Sequence, residues 1–355
     1  MNSNLCSIYI HIPFCTKKCP YCDFNSYADH AFDEHRYISS LCAELEFYLS
    51  KAELKNKKVL SIFFGGGTPS LLNPESIKKV LTTITSFKNL NSECEITLET
   101  NPGTVLEQLG QNKLSEFKDA GINRISMGIQ SFSQKKLQFL GRIHKPEDLD
   151  SAIENIIKAG FTNFNLDLMF GVKDETIEEW KYDITQALSY NPKHLSLYSL
   201  TIEPGTEFGS QQRKGITLTT DDDKFNEFYN FHVETIAKSS FTQYEISNFA
   251  QDNYLCKHNL HYWQRGSYIG VGAGAHGFLD LSNDAPYGKR WINIPGPAHY
   301  NQAITEKKHS AQREEILTKE QAILEQISLG LRTKFGISRK ELFSKYDFTF
   351  SESQE

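Results

Sequence analysis

Three cysteines near the start of the chain have a spacing that suits a metal or iron–sulfur centre. Cys15, Cys19 and Cys22 lie within eight residues, in the pattern C-x₃-C-x₂-C. Zinc in a structural site takes four protein ligands, and His11 or His30 could supply the fourth. A [4Fe–4S] cube on three thiolates instead leaves one iron without a protein ligand, free to bind a small molecule. The spacing alone leaves both interpretations open.

Two lysines and the remaining cysteines bear on the same question. Lys17 and Lys18 stand between the first two cysteines of the cluster, where their charges favour thiolates. The other four cysteines are scattered and the total of seven is odd, which argues against a secreted disulfide scaffold. No signal-peptide pattern begins the sequence. We therefore expect metal or cluster ligation in a reducing compartment, and a cytoplasmic protein.

A glycine-rich segment follows the second predicted strand. Gly65, Gly66 and Gly67 precede Thr68 and Pro69. Three residues without a Cβ atom let the backbone approach a ligand closely. The segment is not a Walker A phosphate loop, because no Gly-Lys-Ser/Thr follows. Taken alone, it is better explained as an ordinary tight turn.

Polar side chains also occur at the ends of later predicted strands. Glu99 ends the third strand, Gln130 follows the fourth, and Asp167 lies within the fifth. The carboxyl ends of the strands form the binding face of a β/α barrel, so we expect these side chains to face a site. Each residue taken singly is equally compatible with a structural hydrogen bond or a helix cap.

These residues lie on a regular alternation of predicted strands and helices over the first two-thirds of the chain. Strands are predicted at 7–12, 59–64, 95–99, 124–129, 165–170 and 195–201, and helices at 33–51, 74–86, 106–120, 133–140, 146–159 and 175–189. Such an alternation predicts parallel strands joined by right-handed crossovers. Six units are fewer than the eight of a closed barrel, so a partial (β/α)₆ barrel and a doubly wound sheet both fit.

After residue 204 the alternation ends. We predict a loop at 205–220, a helix at 221–239, a strand at 243–247, a close-packed glycine-rich turn at 270–277, a loop at 280–297, and helices at 318–333 and 338–346. The expected domains are a barrel at 1–220 and a smaller mixed and helical region at 221–355. A net charge of −6 over 355 residues argues against a protein that coats nucleic acid or anionic lipid. No apolar stretch is long enough to span a bilayer, so we do not expect an integral membrane protein.

The segment Ile8-Tyr-Ile-His-Ile-Pro-Phe-Cys15, followed by Cys19 and Cys22, resembles the start of the radical S-adenosylmethionine (SAM) superfamily. In that family three cysteines hold a [4Fe–4S] cluster whose open iron binds SAM, and the fold is a partial (β/α)₆ barrel. The resemblance implies the same ligands and the same fold here. The residues that it implies for SAM binding are Tyr9, Tyr21, Gly66, Gly67, Thr68, Glu99, Gln130, Arg142 and Asp167.

Two branches of the superfamily share further motifs with this chain. They are the oxygen-independent coproporphyrinogen III oxidases, which decarboxylate their substrate, and the HemW heme chaperones. The oxidases carry a fourth cysteine two places after the third, where this chain has Phe24, and a longer N-terminal arm. Relatives continue through a longer C-terminal domain, so we expect that domain to be shortened here or the sequence to be truncated.

A third motif separates the two branches. The segment from His258 to Trp263 resembles the H-N-x-x-Y-W motif that is linked to heme binding in HemW. The resemblance favours a heme chaperone, with heme, a heme-acceptor protein and an electron donor as partners and His258 as a heme ligand. Cys256 and His261 are competing ligands. The alternative for all three is packing between the barrel and the C-terminal region.

Overall fold

The computed structural model describes residues 4–28, 32–280 and 284–351. His30, one of the two histidines considered as a fourth metal ligand, lies outside these residues. The main sheet has twelve strands. They are β1 Leu5–Ile12, β2 Lys58–Gly66, β3 Glu95–Thr100, β4 Arg124–Gln130, β5 Phe164–Phe170, β6 His194–Ser199, β7 Phe241–Gln243, β8 Asn248–Gln251, β9 Tyr268–Val271, β10 His276–Leu279, β11 Lys289–Asn293 and β12 Ala311–Ile316.

The strand order across this sheet is β12-β11-β10-β9-β1-β2-β3-β4-β5-β6-β8-β7. Strands β1 to β6 run parallel and follow the chain order without reversal, so the predicted (β/α)₆ unit is confirmed and the doubly wound alternative is wrong. β1 pairs with β9, and β6 pairs with β8. The barrel is therefore open. β9 also runs parallel to β1, which adds a seventh parallel strand that the sequence did not predict.

Helices connect the parallel strands and cover the outside of the sheet. They are α1 Glu34–Leu49, α2 Ala52–Lys55, α3 Pro74–Phe87, α4 Glu107–Ala120, α5 Gln134–Phe139, α6 Pro146–Lys158, α7 Ile177–Ser189, α8 Glu207–Arg213, α9 Asp222–Ala237, α10 Lys257–Trp263, α11 Pro297–Lys307, α12 Lys319–Gly330 and α13 Arg339–Tyr346. Pro74 and Pro146 begin α3 and α6, where a missing N–H costs nothing. Gly121 ends α4 with a φ of +118°, a left-handed conformation that glycine adopts readily.

Side chains alternate along each barrel strand between an apolar outer face and an inner face that is largely polar. In β4, Ile125 and Met127 belong to the main hydrophobic core, whereas Arg124 and Ser126 line an interior cavity. β5 and β6 alternate in the same way. Successive side chains of a strand point to opposite faces, so the alternate polar positions of several strands meet inside the barrel.

The region after residue 204 differs from the prediction in three places. The predicted loop at 205–220 contains α8, the predicted loop at 280–297 contains β11, and the predicted strand at 243–247 is replaced by the hairpin of β7 and β8. These elements are three to seven residues long and are defined mainly by the strands they pair with, which local sequence does not reveal. The glycine-rich turn is confirmed as close-packed, because a Cβ atom on Gly272 would lie 2.5 Å from the His11 carbonyl oxygen.

Candidate functional site

A cavity of about 430 Å³ lies among the carboxyl ends of the parallel strands and continues into the barrel interior. This volume is within the usual range for a small-molecule site. All the residues predicted to bind the cluster, SAM or heme line it: Tyr9, Cys15, Cys19, Tyr21, Cys22, Gly66, Gly67, Thr68, Glu99, Gln130, Arg142, Asp167 and His258. The fold thus brings together side chains that are far apart in sequence, while the individual binding roles stay predictions.

The cysteine loop lies on one wall of this cavity and is held by its own hydrogen bonds. Lys18 Nζ donates to the carbonyl oxygens of Phe24, at 3.1 Å, and Ser26, at 3.2 Å. All three cysteines of the loop are free thiols and half-buried. Burial raises the pKa values of Cys15 and Cys22, so binding a cluster there must release protons.

His11 is not available as a fourth ligand in this conformation. Its Nε2 donates to the Asn25 carbonyl oxygen at 2.8 Å, which leaves Nδ1 to accept from the Tyr9 hydroxyl at 3.0 Å. Burial lowers the pKa of His11, which favours the neutral ring. Over the described ranges, no three His, Cys, Asp or Glu side chains are gathered around a point where one metal ion would bind. Three thiols without this histidine fit a [4Fe–4S] cube that has one open iron.

The glycine segment packs directly against the cysteine loop. A Cβ atom on Gly67 would lie 2.6 Å from the Phe14 carbonyl oxygen and 3.0 Å from Cys15 Sγ. Gly66 has a φ of +114°, and its N–H donates to Glu99 Oε2 at 3.0 Å. The Thr68 hydroxyl donates to Cys15 Sγ at 3.6 Å. Gly66 and Gly67 are therefore required by backbone conformation and close approach, beyond the needs of an ordinary turn.

Arg142 connects the cysteine loop with the strand ends. Its Nη1 donates to Cys19 Sγ at 3.5 Å, and its Nη2 donates to the Gly128 carbonyl oxygen at 2.8 Å and to Asn101 Oδ1. Nearby, Gln130 has a φ of +67° at an irregularity in the pairing of β4 with β5. Left-handed conformations of non-glycine residues are costly and cluster at functional sites, which supports a binding role for this corner.

Two acidic side chains face the middle of the cavity. Burial and the nearby charge of Asp167 raise the pKa of Glu99 to about 8, so this carboxyl is mainly protonated at neutral pH. Burial also raises the pKa of Asp167, which accepts hydrogen bonds from Asn165 Nδ2 at 2.7 Å and the Ser126 hydroxyl at 3.5 Å. Both groups can accept hydrogen bonds from ligand hydroxyls, as a ribose would offer.

His258 lies at the floor of the cavity, and both of its ring nitrogens are engaged. Nδ1 shares a hydrogen bond of 2.9 Å with the Ser61 hydroxyl, and Nε2 shares one of 2.8 Å with the Tyr262 hydroxyl. Burial lowers the pKa of His258 to about 3, so the ring is neutral. Of the competing ligands, Cys256 lines the cavity, whereas His261 is bonded to the Ser267 carbonyl oxygen and does not line it.

Comparison with known proteins supplies the family. A family profile described as the Radical SAM superfamily matches residues 9–186. The chain belongs to this superfamily. "Heme chaperone HemW" of Bacillus subtilis is 37% identical over 341 residues, which cover 96% of this chain and 86% of that protein. "Heme chaperone HemW" of Escherichia coli is 43% identical over 272 residues, 76% of this chain and 69% of that protein. Within the radical SAM superfamily, the chain is therefore a member of the HemW family.

Two further comparisons agree with the fold. The mouse protein "Radical S-adenosyl methionine domain-containing protein 1, mitochondrial" is 33% identical over 342 residues, 95% of this chain and 75% of that protein. The solved structure of coproporphyrinogen III oxidase (HemN) from Escherichia coli, a radical SAM enzyme, covers 99% of this chain and 80% of that one. Its TM-score is 0.81 at 21% sequence identity, which shows a shared fold.

Membership of the radical SAM superfamily implies a [4Fe–4S] cluster and SAM as cofactors. The three cysteines and the polar cavity beside them are compatible with both. Within the part of the chain that is described, no helix has both the length and the apolar character needed to cross a membrane.

Sequence reasoning missed several residues that line the same cavity. They are chiefly inward-facing positions of β4, β5 and β6 and neighbours of the known motifs: Asn101, Arg124, Ser126, Asn165, Met169, His194, Ser196, Tyr198 and Asn248. The signal was the strict alternation of polar and apolar residues in Arg124-Ile-Ser-Met and in His194-Leu-Ser-Leu. Such alternation is unusual for the buried strands of a parallel sheet, which normally read as continuous apolar runs.

Proposed function

We propose that this protein is a heme chaperone, which binds heme and passes it to an acceptor protein. The observation that carries the proposal is its 37% identity, over 96% of its length, to a relative named heme chaperone HemW. The cavity supports the proposal, because His258 and Tyr262 of the H-N-x-x-Y-W motif line the same space as the three cysteines.

In this proposal the three clustered cysteines hold a [4Fe–4S] cluster that offers its open iron to the amino and carboxylate groups of SAM. Arg142 is then placed to bind the SAM carboxylate, since it already reaches Cys19 Sγ at 3.5 Å. Gly66 and Gly67 leave room for the ligand beside the cysteine loop. The remaining residues proposed to contact SAM are Tyr9, Tyr21, Thr68, Glu99, Gln130 and Asp167.

For heme, we propose His258 as an iron ligand through Nε2, the nitrogen nearer the cavity-lining Tyr262. Its neutral ring is the form that binds metals. The 2.8 Å bond to the Tyr262 hydroxyl must open for this, at a cost of about 1 kcal/mol, which is small beside a metal–nitrogen bond. Cys256 is the alternative ligand within the same cavity, although it donates to Glu95 Oε1 at 3.5 Å.

A second candidate function is radical decarboxylation of coproporphyrinogen III. The shared fold with the oxidase, at a TM-score of 0.81, favours it. Phe24 counts against it, because the oxidases carry their fourth cysteine at this position. Here the aromatic side chain is 64% exposed beside the cysteine loop.

The remaining partners follow from the same proposal. A cluster of this kind needs an electron donor, and a chaperone needs a heme-acceptor protein. We propose a cytoplasmic location, supported by seven cysteines that are all free.

One experiment on a single sample tests these functions. The protein is reconstituted with iron and sulfide without oxygen, titrated with heme by its Soret absorption, and assayed for SAM cleavage and for protoporphyrinogen formed from coproporphyrinogen III. A heme chaperone binds heme and forms no protoporphyrinogen. Formation of that product, or failure to bind heme, contradicts the proposal.

Two alanine variants test the cluster ligands. Cys19→Ala should lose the brown cluster absorption and SAM binding while it keeps its far-ultraviolet circular dichroism, because the barrel core does not include this side chain. Cys42→Ala is the matched control, since Cys42 is a buried thiol of the core that does not line the cavity. Equal cluster content in both variants would remove Cys19 from the ligand set.

A further inference from the structure

Arg124, the first residue of β4, is a buried cation whose side chain forms no hydrogen bond with any described residue. Only 2% of its surface is exposed, and the residue lines the cavity. Its Nε has no partner among the described residues, and its other two nitrogens form no hydrogen bond with them either. A buried charge is normally paired and hydrogen-bonded, because its desolvation is otherwise uncompensated. This group therefore calls for a partner from outside the described chain.

Another buried arginine, Arg265, shows what a satisfied guanidinium looks like in the same molecule. Arg265, 3% exposed, donates to Asp280, Glu325, the Tyr346 hydroxyl and a backbone carbonyl oxygen. The half-buried Arg142 donates from Nη1 and Nη2 to three acceptors near the cysteine loop, although its Nε also has no partner among the described residues. Arg124 differs from both, because it lines the cavity and none of its guanidinium nitrogens has an acceptor among the described residues.

The acidic side chains around Arg124 are committed to other donors. Glu95 accepts from the backbone N–H groups of Lys257, at 3.1 Å, and His258, at 3.2 Å. Asp167 accepts from Asn165 and Ser126. Both carboxylates lie close enough to act on the charge of Arg124 without a hydrogen bond to it. They reduce the cost of burying the cation, but they leave its donors free.

The position of Arg124 separates it from the proposed SAM carboxylate site. Arg124 and Gln130 are the two ends of β4, and six residues of strand correspond to about 20 Å. A carboxylate beside Cys19 and Arg142 lies at the mouth, at the Gln130 end. The guanidinium of Arg124 acts electrostatically on Cys256 and His258 of the floor, and also on Glu99 and Asp167 in the middle of the cavity.

We propose that Arg124 is a carboxylate-binding subsite of the cavity floor, and that the carboxylate it takes is a propionate of the bound heme. The inference rests on the proposed heme-binding function. A propionate would give the planar guanidinium two charge-assisted hydrogen bonds, and it would fix the orientation of the ring relative to His258. SAM also carries a carboxylate, so the test must distinguish the two sources.

The test measures binding of heme and of heme dimethyl ester, which lacks the propionate charges, to the full reconstituted protein and to Arg124→Met. We expect the parent protein to bind heme at least about tenfold more tightly than the ester, since a hydrogen bond to a charged group contributes about that much. Arg124→Met should lose this preference by weakening heme and leaving the ester unchanged. Arg124→Lys keeps the charge without the planar fork and should retain part of the preference.

Arg265→Met is the matched control, because it removes an equally buried arginine that does not line the cavity. It should lower the melting temperature and leave the preference for heme unchanged. The heme and ester comparison on the parent protein needs no variant, so a poorly folded mutant does not decide the test. SAM affinity is measured on the same samples by equilibrium dialysis.

Four results would overturn the inference. Equal affinity of the parent protein for heme and for its dimethyl ester would contradict a contact between the protein and a propionate. A preference for heme over the ester that survives Arg124→Met would contradict a contact between Arg124 and a propionate. A loss of SAM affinity in Arg124→Met, with heme affinity unchanged, assigns the arginine to the SAM carboxylate instead. If the parent protein binds neither porphyrin, the proposed heme function itself fails and the subsite fails with it.

Discussion

Replacing Gly67 with alanine tests whether the glycine segment sets the position of the cysteine loop. The added Cβ atom would lie 2.6 Å from the Phe14 carbonyl oxygen, whereas ordinary contact begins near 3.4 Å, so the two backbones must separate by about 0.8 Å. The same atom would lie 3.0 Å from Cys15 Sγ. The neighbours on the tight side include backbone atoms, which cannot rotate away as a flexible side chain can.

The size of the effect follows from this geometry. Overpacking of a well-packed site typically costs about 1–3 kcal/mol. A shift of this size also exceeds the tolerance of about 0.5 Å within which a ligand constellation works. We therefore expect Gly67→Ala to fold, to melt at a lower temperature, and to bind substantially less iron and sulfide per chain after reconstitution.

The assay compares iron, sulfide and cluster absorption of Gly67→Ala with those of Gly103→Ala, after circular dichroism has shown that both are folded. Gly103 is the matched control because nothing lies within 4 Å of a Cβ atom placed there. A Gly67→Ala protein that loads a full cluster and melts with the parent would refute the view that close packing at this glycine positions Cys15.

Three further predictions use groups inside and outside the cavity. Because the pKa of Glu99 rises from 4.5 to about 8 on folding, the ligand-free protein should lose stability as the pH rises between these two values. In thermal unfolding, the melting temperature of Glu99→Gln should therefore fall less steeply with pH than that of the parent protein. Lys136→Met leaves the buried carboxylates of Glu175 and Asp183 without their cation, so the free energy of unfolding, measured with denaturant, should fall by about 3–5 kcal/mol. Lys135→Met, at the exposed neighbouring position, is the control and should change this free energy little. Tyr262→Phe removes the hydroxyl bound to the motif histidine and should tighten heme binding if that histidine ligates iron, measured by Soret titration; weaker binding would contradict this.

The barrel was predictable because each of its units carries its own local signals. Prolines at the first helical positions and glycines at the helix ends are matched by α3, α4 and α6. The six predicted barrel strands all occur, and their bounds shift by no more than two residues at either end. The loop at 280–297 failed as a prediction because β11 depends on pairing with β10 and β12, contacts that no local pattern encodes.

Site residues that belong to a sequence motif could be predicted. Site residues that only the fold brings into the cavity could not. The cysteines and the glycine segment can be recognised from their spacing in the sequence. Arg124 does not, because at the start of a strand it looks like an exposed end residue, although the structure leaves only 2% of it exposed. Lys17 and Lys18 were predicted only to favour thiolates by their charge. In the structure, Lys18 also donates to two carbonyl oxygens of the cysteine loop and so helps fix the shape of the loop.

A barrel interior that is polar at both ends has a consequence for ligand coupling. The cysteines lie at the mouth and His258 lies at the floor, yet one cavity of about 430 Å³ contains both sets of residues. Tyr9 connects them, since its ring lies 6.3 Å from that of His258 and its hydroxyl bonds His11 beside the cysteine loop. We therefore expect a ligand at either end to alter the space and the side chains available at the other. By thermodynamic linkage, whatever factor SAM imposes on heme affinity must equal the factor that heme imposes on SAM affinity. A shared factor different from one would show that the mouth and the floor work as one coupled site, and a factor of one would show that the two ligands bind independently.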